Sequence, residues 1–201
     1  MDYRSKINEK YSKAYKLYGN SPKSVMWPKG RQLERFKTLL NPILENRGRA
    51  LSILDFGCGL GDMYYFIENK MNRKFNYLGV DINPDFINDC RSRNINAELI
   101  NGHQDIIDSY DVIVCSGVFN IKYFDSNQKN QLFVQSVLDH LIGKTNYYFA
   151  SDFMRTQVDF TQEGAWHQDL NALVNFVTKH TRRILIDMTE LDYEYTLKAW
   201  K

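Results

Sequence analysis

Along residues 3–18 the apolar positions Ile7, Tyr11, Ala14 and Tyr18 recur every three or four residues, which predicts an amphipathic helix. Gly19 is a stop signal, and Asn20-Ser21-Pro22 reads as a turn. An apolar segment, Val25-Met26-Trp27-Pro28, leads into a second predicted helix from about Gly30 to Leu40, with Leu33, Phe36 and Leu40 inward. Pro42 either ends that helix or restarts it behind an Asn41 cap. Residues 1–47 therefore read as a helical extension, separate from the pattern that follows.

From Leu51 short apolar runs alternate with helical periodicity. Strands are predicted at Leu51–Leu54, Phe75–Val80 (running into Asp81), Ala97–Ile100, Asp111–Cys115 and Asn146–Ser151. Helices are predicted at Asp62–Lys70, behind an Asn83 cap with Pro84 first and Phe86, Ile87 and Cys90 inward, and at Gln128–Ile142. Such alternation argues for a parallel sheet with helices on both faces. The last third breaks the rhythm, with a helix at Leu170–Lys179 and strands at Arg183–Asp187 and Tyr193–Ala199. The short joint from Met188 to Asp192 cannot span a parallel crossover, so one terminal strand must run antiparallel. The expected fold is α/β, a mostly parallel seven-stranded sheet with one antiparallel terminal strand.

With 201 residues the chain is long enough for one domain with a substantial core. Its 43% hydrophobic and 25% charged residues exclude a disordered or fibrous class. The net charge of +2 comes without a dense basic run; Arg91-Ser92-Arg93 and Arg182-Arg183 read as solvated surface. A nucleic-acid partner is disfavoured and not excluded. No apolar stretch approaches a membrane span, and the amino terminus lacks an apolar signal core. Cys58, Cys90 and Cys115 are scattered, with no disulfide or metal-site spacing, so no metal is predicted and a reduced, cytoplasmic setting is expected.

The chemistry concentrates in Leu54-Asp55-Phe56-Gly57-Cys58-Gly59-Leu60-Gly61-Asp62. A strand runs into an acid and then into alternate glycines, a turn in which backbone and the amino end of a helix can meet a ligand directly. In a dinucleotide site of the G-x-G-x-x-G type the third glycine would fall at Asp62, where a carboxylate would face a pyrophosphate. The acid at Asp55 instead suits a cationic group such as an ammonium. Asp81, at the tip of the second strand, can accept the two hydroxyls of a ribose.

Leu54 to Asp62 resembles motif I of the class I S-adenosylmethionine-dependent methyltransferases. Leu78-Gly79-Val80-Asp81-Ile82-Asn83 resembles their motif II, and Asp111 to Gly117 their motif IV. The resemblance covers about residues 50–201, dividing the chain into a helical extension at 1–47, expected to act as a lid, and a Rossmann-like methyltransferase domain at 48–201. Ser21-Pro22…Trp27 and the loop Ser116 to Asn120 resemble segments of a bacterial subset acting on small molecules.

The resemblance implies S-adenosyl-L-methionine as cofactor and a set of roles. The backbone from Gly57 through Cys58 and Gly59 to Gly61 holds the methionine part, with Asp55 close to its ammonium. Asp81 takes the ribose hydroxyls, and Ile82 packs on the adenine. Gly102-His103-Gln104-Asp105 contacts the adenine edge. His103 stands where the family often has an acid, which leaves the adenine amino contact open between Gln104 and Asp105. Ser116 lies beside the transferred methyl. Cys58 reads as a small filler, not a nucleophile, and Cys115 as core.

Trp27 either staples the extension to the domain or, with Arg31 and Arg35, closes over the cofactor. The long connection from Asp152 to Gln168, carrying Asp152, Arg155, Asp159, Trp166 and His167, is expected to wall the acceptor pocket. For an acceptor that must lose a proton, His167, Asp152 and His103 are the candidate bases in that order, and Asn120 and Lys122 could orient the acceptor. The expected reaction is O- or N-methylation of a small molecule. An RNA- or protein-directed methyltransferase and a non-catalytic cofactor-binding module or NAD enzyme are the alternatives.

Overall fold

The computed structural model describes residues 3–26, 31–44 and 48–201. The chain runs α1 (Tyr3–Tyr18), α2 (Gln32–Leu44), β1 (Leu51–Phe56), α3 (Asp62–Lys70), β2 (Phe75–Asp81), α4 (Pro84–Ser92), β3 (Ala97–Leu99) and β4 (Tyr110–Cys115). It continues through α5 (Asn127–Gly143), β5 (Thr145–Arg155), β6 (His167–Gln168), α6 (Leu170–Val177), β7 (Arg183–Asp187) and β8 (Glu194–Trp200). The sheet order is β3-β2-β1-β4-β5-β8-β7, with β6 on β5. β8 runs antiparallel to both β5 and β7, and the other pairs are parallel. The order reverses at β1, which lies between β2 and β4 and opens a crevice beyond the carboxyl ends of these strands.

The predicted fold holds, with an eighth strand added. The fifth strand is longer than its sequence pattern indicates because β8 pairs with it as far as Met154 and β6 covers its other edge at Met154 and Arg155. The expected loop from Asp152 to Gln168 is therefore strand at both ends. α4 begins as predicted: the Asn83 side chain accepts from the Asp85 and Phe86 amides, and Pro84 takes the first helical position.

α2 departs from expectation. It continues through Pro42 to Leu44, and Leu33, expected inward, is 63% exposed. An interior proline costs about 3 kcal/mol. Leu39, Leu40 and Ile43 have no exposed surface, and burying each stabilises by roughly 1.5–3 kcal/mol, which outweighs that cost. Tyr148 of β5 donates its hydroxyl to the Leu39 carbonyl at 2.6 Å, beside the interrupted helical ladder.

Helices cover both faces. α5 and α6 close one core around Leu54, Ile113, Phe149 and Leu197. α2, α3 and α4 close the other around Ile53, Val112, Val114 and Tyr148. α2 is tied to the sheet by two polar links. Arg35 pairs with Glu194 of β8, and the buried Lys198 ammonium donates to Asn41 (3.3 Å) and Asp187 (2.9 Å). Burial alone would raise the Asp187 carboxyl; the Thr189 hydroxyl and Lys198 overcome this and hold it at about 2. At the amino end of β4, Asp111 clasps Arg49 together with the Ser52 amide and hydroxyl. α1 buries only Ala14 fully and docks through Tyr11 and Tyr15 against Phe86.

Candidate functional site

The turn after β1 is built from residues without side-chain bulk. Gly57, Gly59 and Gly61 all have positive φ. A Cβ on Gly57 would lie inside the van der Waals envelope of Val118 Cγ2, so only glycine lets β1 pass this close to the turn after β4. The Gly57 and Cys58 amides both donate to the Val80 carbonyl, at 2.8 and 3.0 Å, folding the turn over the end of β2. Gly61, not Asp62, takes the position before α3, and it offers no side-chain cap.

Two carboxylates line the cavity beside this turn. Asp81 accepts the Gly59 amide on Oδ2 (2.9 Å) and the Asn83 amide on Oδ1 (2.8 Å). Burial raises its pKa, and those amides hold the rise in check. Asp55 is 2% exposed; burial pushes its carboxyl up to about 7, against a 2.6 Å hydrogen bond donated by the Tyr77 hydroxyl. Tyr77 was not singled out in the sequence. Its signal is Gly79, two residues on and on the same sheet face: a Cβ there would meet the Tyr77 ring at 3.2 Å and Cys58 Sγ at 2.9 Å. The neighbouring Cys90 thiol and burial push the Cys58 thiol well above its ordinary value, which keeps it protonated and a filler.

Around the turn lies a cavity with about 1110 Å³ of open space, counting its mouth. Of the predicted cofactor residues, Asp55, Gly57, Cys58, Gly59, Asp81, Ile82, His103 and Ser116 line it. Gln104 and Asp105 do not. The short turn His103–Asp105 puts His103 inward, with Nε2 3.1 Å from Ser136 Oγ, while Gln104 and Asp105 are exposed and Asp105 accepts the Asn101 amide at 2.7 Å. Burial and the neighbouring His140 lower the His103 pKa, so its imidazole is neutral at pH 7. Trp27 lies outside the described residues. Arg35 is paired with Glu194 and Arg31 faces Glu34, and neither is among the cavity-lining residues, where the second of the two alternatives for Trp27 would have them.

Of the three candidate bases, His103 lines the cavity, and Asp152 and His167 do not. Asp152 is 1% exposed and accepts the Ser116 hydroxyl (3.0 Å), the Gly117 amide (2.8 Å) and Asn120 Nδ2 (3.1 Å). Burial, with Glu194 adding to it, raises its carboxyl to about 7 against the pull of Arg35. Asp152 thus reaches the cavity through Ser116. His167 does not line the cavity: it lies on β6 opposite Met154, with Nδ1 2.7 Å from the Arg155 carbonyl and Nε2 buried without a partner. No residue of the connection from Asp152 to Gln168, expected to wall the acceptor pocket, lines this cavity; the segment packs behind residues that do. Trp166 is buried and bonds Gln168, its amide donates to the Asn120 carbonyl, and Ala165 bridges to Ile121, which does line the cavity. Asn120 is spent on Asp152 and on the Met154 amide.

The sequence pattern gives the extension as a lid without naming the α1 residues that meet the cavity, and α1 supplies part of its wall. Tyr3, Ile7, Asn8 and Tyr11 line the cavity, and Gln32 and Phe36 of α2 complete it. The helical stripe showed that α1 has an apolar face, but nothing local to the stripe says what that face covers.

A family model described as a methyltransferase domain matches residues 54–141, the stretch holding both carboxylates. No curated protein sequence matches the chain. Among solved structures the fold is shared with magnesium protoporphyrin IX methyltransferase from Synechocystis PCC 6803 with bound S-adenosylhomocysteine (TM-score 0.73, 11% identity, all of both chains covered). It is also shared with the N-methyltransferase NodS from Bradyrhizobium japonicum WM9 in complex with S-adenosylhomocysteine (0.66, 14%, 96% of this chain and 98% of that one). A third is the plantazolicin methyltransferase BpumL, in complex with a desmethyl plantazolicin analogue and S-adenosylhomocysteine (0.63, 16%, 98% of each). Residues 54–141 of this chain match a methyltransferase-domain model, and the chain shares its fold with solved methyltransferases that bind S-adenosylmethionine or S-adenosylhomocysteine.

Proposed function

We propose that the chain transfers a methyl group from S-adenosyl-L-methionine to a small-molecule acceptor. One observation carries the reading: a desolvated acid, Asp55, and a braced acid, Asp81, flank a backbone cradle that has no room for side chains. The residues fit the cofactor. Asp55 is buried without a Lys or Arg partner among the described residues, the setting an ammonium group completes. Asp81 keeps lone pairs beyond the two amides it accepts, which suits a ribose diol. Two of the three neighbours are named for the compounds they act on, magnesium protoporphyrin IX and plantazolicin, which supports a small-molecule acceptor here. We assign α1 as the cover over the cofactor and residues 48–201 as the catalytic body.

The bound cofactor supplies a methyl group already activated on a sulfonium. The chain's task is to position the acceptor and take its proton. Ser116 donates its hydroxyl proton to Asp152, so its oxygen presents lone pairs to the cavity. A hydroxyl or amine acceptor can hydrogen-bond there and pass its proton through Ser116 to Asp152, whose carboxyl near 7 is suited to neutral pH. Asp152 is then a positioning residue and the proton's destination. Asp152→Ala is expected to leave S-adenosylhomocysteine affinity within about threefold while turnover falls by about 100-fold or more. Equal turnover in wild type and variant would remove Asp152 from the mechanism.

The cofactor itself is tested by calorimetry. S-adenosylhomocysteine should bind and NAD should not. Because free Asp55 titrates near 7 and an ammonium needs its ionised form, binding releases a proton below pH 7. Affinity should therefore rise about fivefold from pH 6 to 7 and only about twofold more by pH 8, with heats that depend on buffer ionisation at pH 6. Tight NAD binding, or no binding of S-adenosylhomocysteine, would sink the assignment.

A further inference from the structure

Asn8 lies mid-way along α1, against the end of β2. Its Nδ2 donates to the Ile82 carbonyl at 2.9 Å, which fixes the direction of the amide: the reverse orientation would set oxygen against oxygen. The Oδ1 atom is consequently turned the other way, and it is buried without a hydrogen-bond partner. A buried carbonyl oxygen without a donor is unfavourable. Arg73, Arg155 and His167 also carry an unpaired buried nitrogen, but none of them lines the cavity; Asn8 does.

The surroundings say which part of a ligand Asn8 meets. Ile82 directly follows Asp81, and Tyr11, one turn along α1, has its phenol raised by burial and by the nearby Asp81 charge. The Asn8 backbone and Ser12 are themselves held by Asn83 Nδ2, at 3.4 and 3.2 Å. α1 is thus anchored at the sugar-binding end of the site. On the cofactor reading above, we propose that Asn8 Oδ1 accepts a hydrogen bond from the nucleoside half of the bound cofactor, so that the helical extension is a working part of the cofactor site. The donor is a ribose hydroxyl or the adenine amino group; both present the same chemistry, an O–H or N–H aimed at an amide oxygen.

The test is calorimetry with wild type and Asn8→Ala, using S-adenosylhomocysteine and three analogues lacking the 2′-hydroxyl, the 3′-hydroxyl or the 6-amino group. Asn8→Ala should weaken S-adenosylhomocysteine about tenfold. For one analogue the affinity lost with wild type should be about tenfold smaller with Asn8→Ala, and that analogue names the donor. Unchanged affinity for S-adenosylhomocysteine overturns the proposal. So does an equal loss against all four ligands, which would mean that α1 has merely loosened. Should wild type fail to bind S-adenosylhomocysteine at all, the cofactor assignment falls first and this inference with it.

Discussion

Replacing Asp81 with alanine is expected to raise the dissociation constant for S-adenosylhomocysteine at least about 100-fold. Two effects add. The ribose loses a charged acceptor for its hydroxyls, each hydrogen bond of that kind being worth about 1.5–3 kcal/mol. The turn also loses its brace, because the Gly59 and Asn83 amides both end on this carboxylate. The Asp81→Asn variant separates the two. An amide keeps one oxygen for one of those N–H groups but sets an NH2 against the other, so its affinity should fall between wild type and alanine. Calorimetry at pH 8, where Asp55 is ionised, isolates the effect. A change below fivefold for alanine would place the sugar elsewhere.

Gly57→Ala is the second large effect, and it strikes fold and site together. At φ +79 a side chain costs about 1–2 kcal/mol before any contact is considered. The new methyl group also overlaps Val118 Cγ2, and a β-branched neighbour has little rotamer freedom with which to yield. Together these should destabilise the protein by about 3 kcal/mol in denaturant unfolding and abolish measurable binding of S-adenosylhomocysteine. Adding Val118→Ala should return the overlap cost, but not the dihedral cost. If the double variant is no more stable than Gly57→Ala alone, steric overlap is not the cause.

Much of the fold could be read from the sequence because its signals are local. The Asn83-Pro84 start of α4, the apolar strand at β4 and the glycine turn each depend on a few adjacent residues. The misreadings occur where a distant partner decides. Pro42 sits inside a helix because the sheet buries its neighbours. β5 extends to Arg155 because β8 and β6 pair with it, and neither is near it in sequence. The site divides the same way. Asp55, Asp81 and the glycines follow from spacing. Asn8 and Tyr77 owe their places to tertiary geometry, as do Asp152 behind Ser116 and His167 on β6 beside the Arg155 carbonyl. Residue type and a place on the long connection from Asp152 to Gln168 mark His167 as a candidate base; its Nδ1 lies against the Arg155 carbonyl, away from the cavity lining.

The reversal of strand order at β1 separates two jobs along the length of the sheet. The cradle occupies the carboxyl ends, whereas the Asp111–Arg49–Ser52 clasp lies at the amino end of β4. Substitutions at sites this far apart, with no shared partners, combine additively. A variant weakened in the cradle can therefore be rescued by a stabilising change near the clasp without altering the chemistry. Such second-site suppressors give the acceptor side of the crevice room to drift toward new substrates while the chain stays folded.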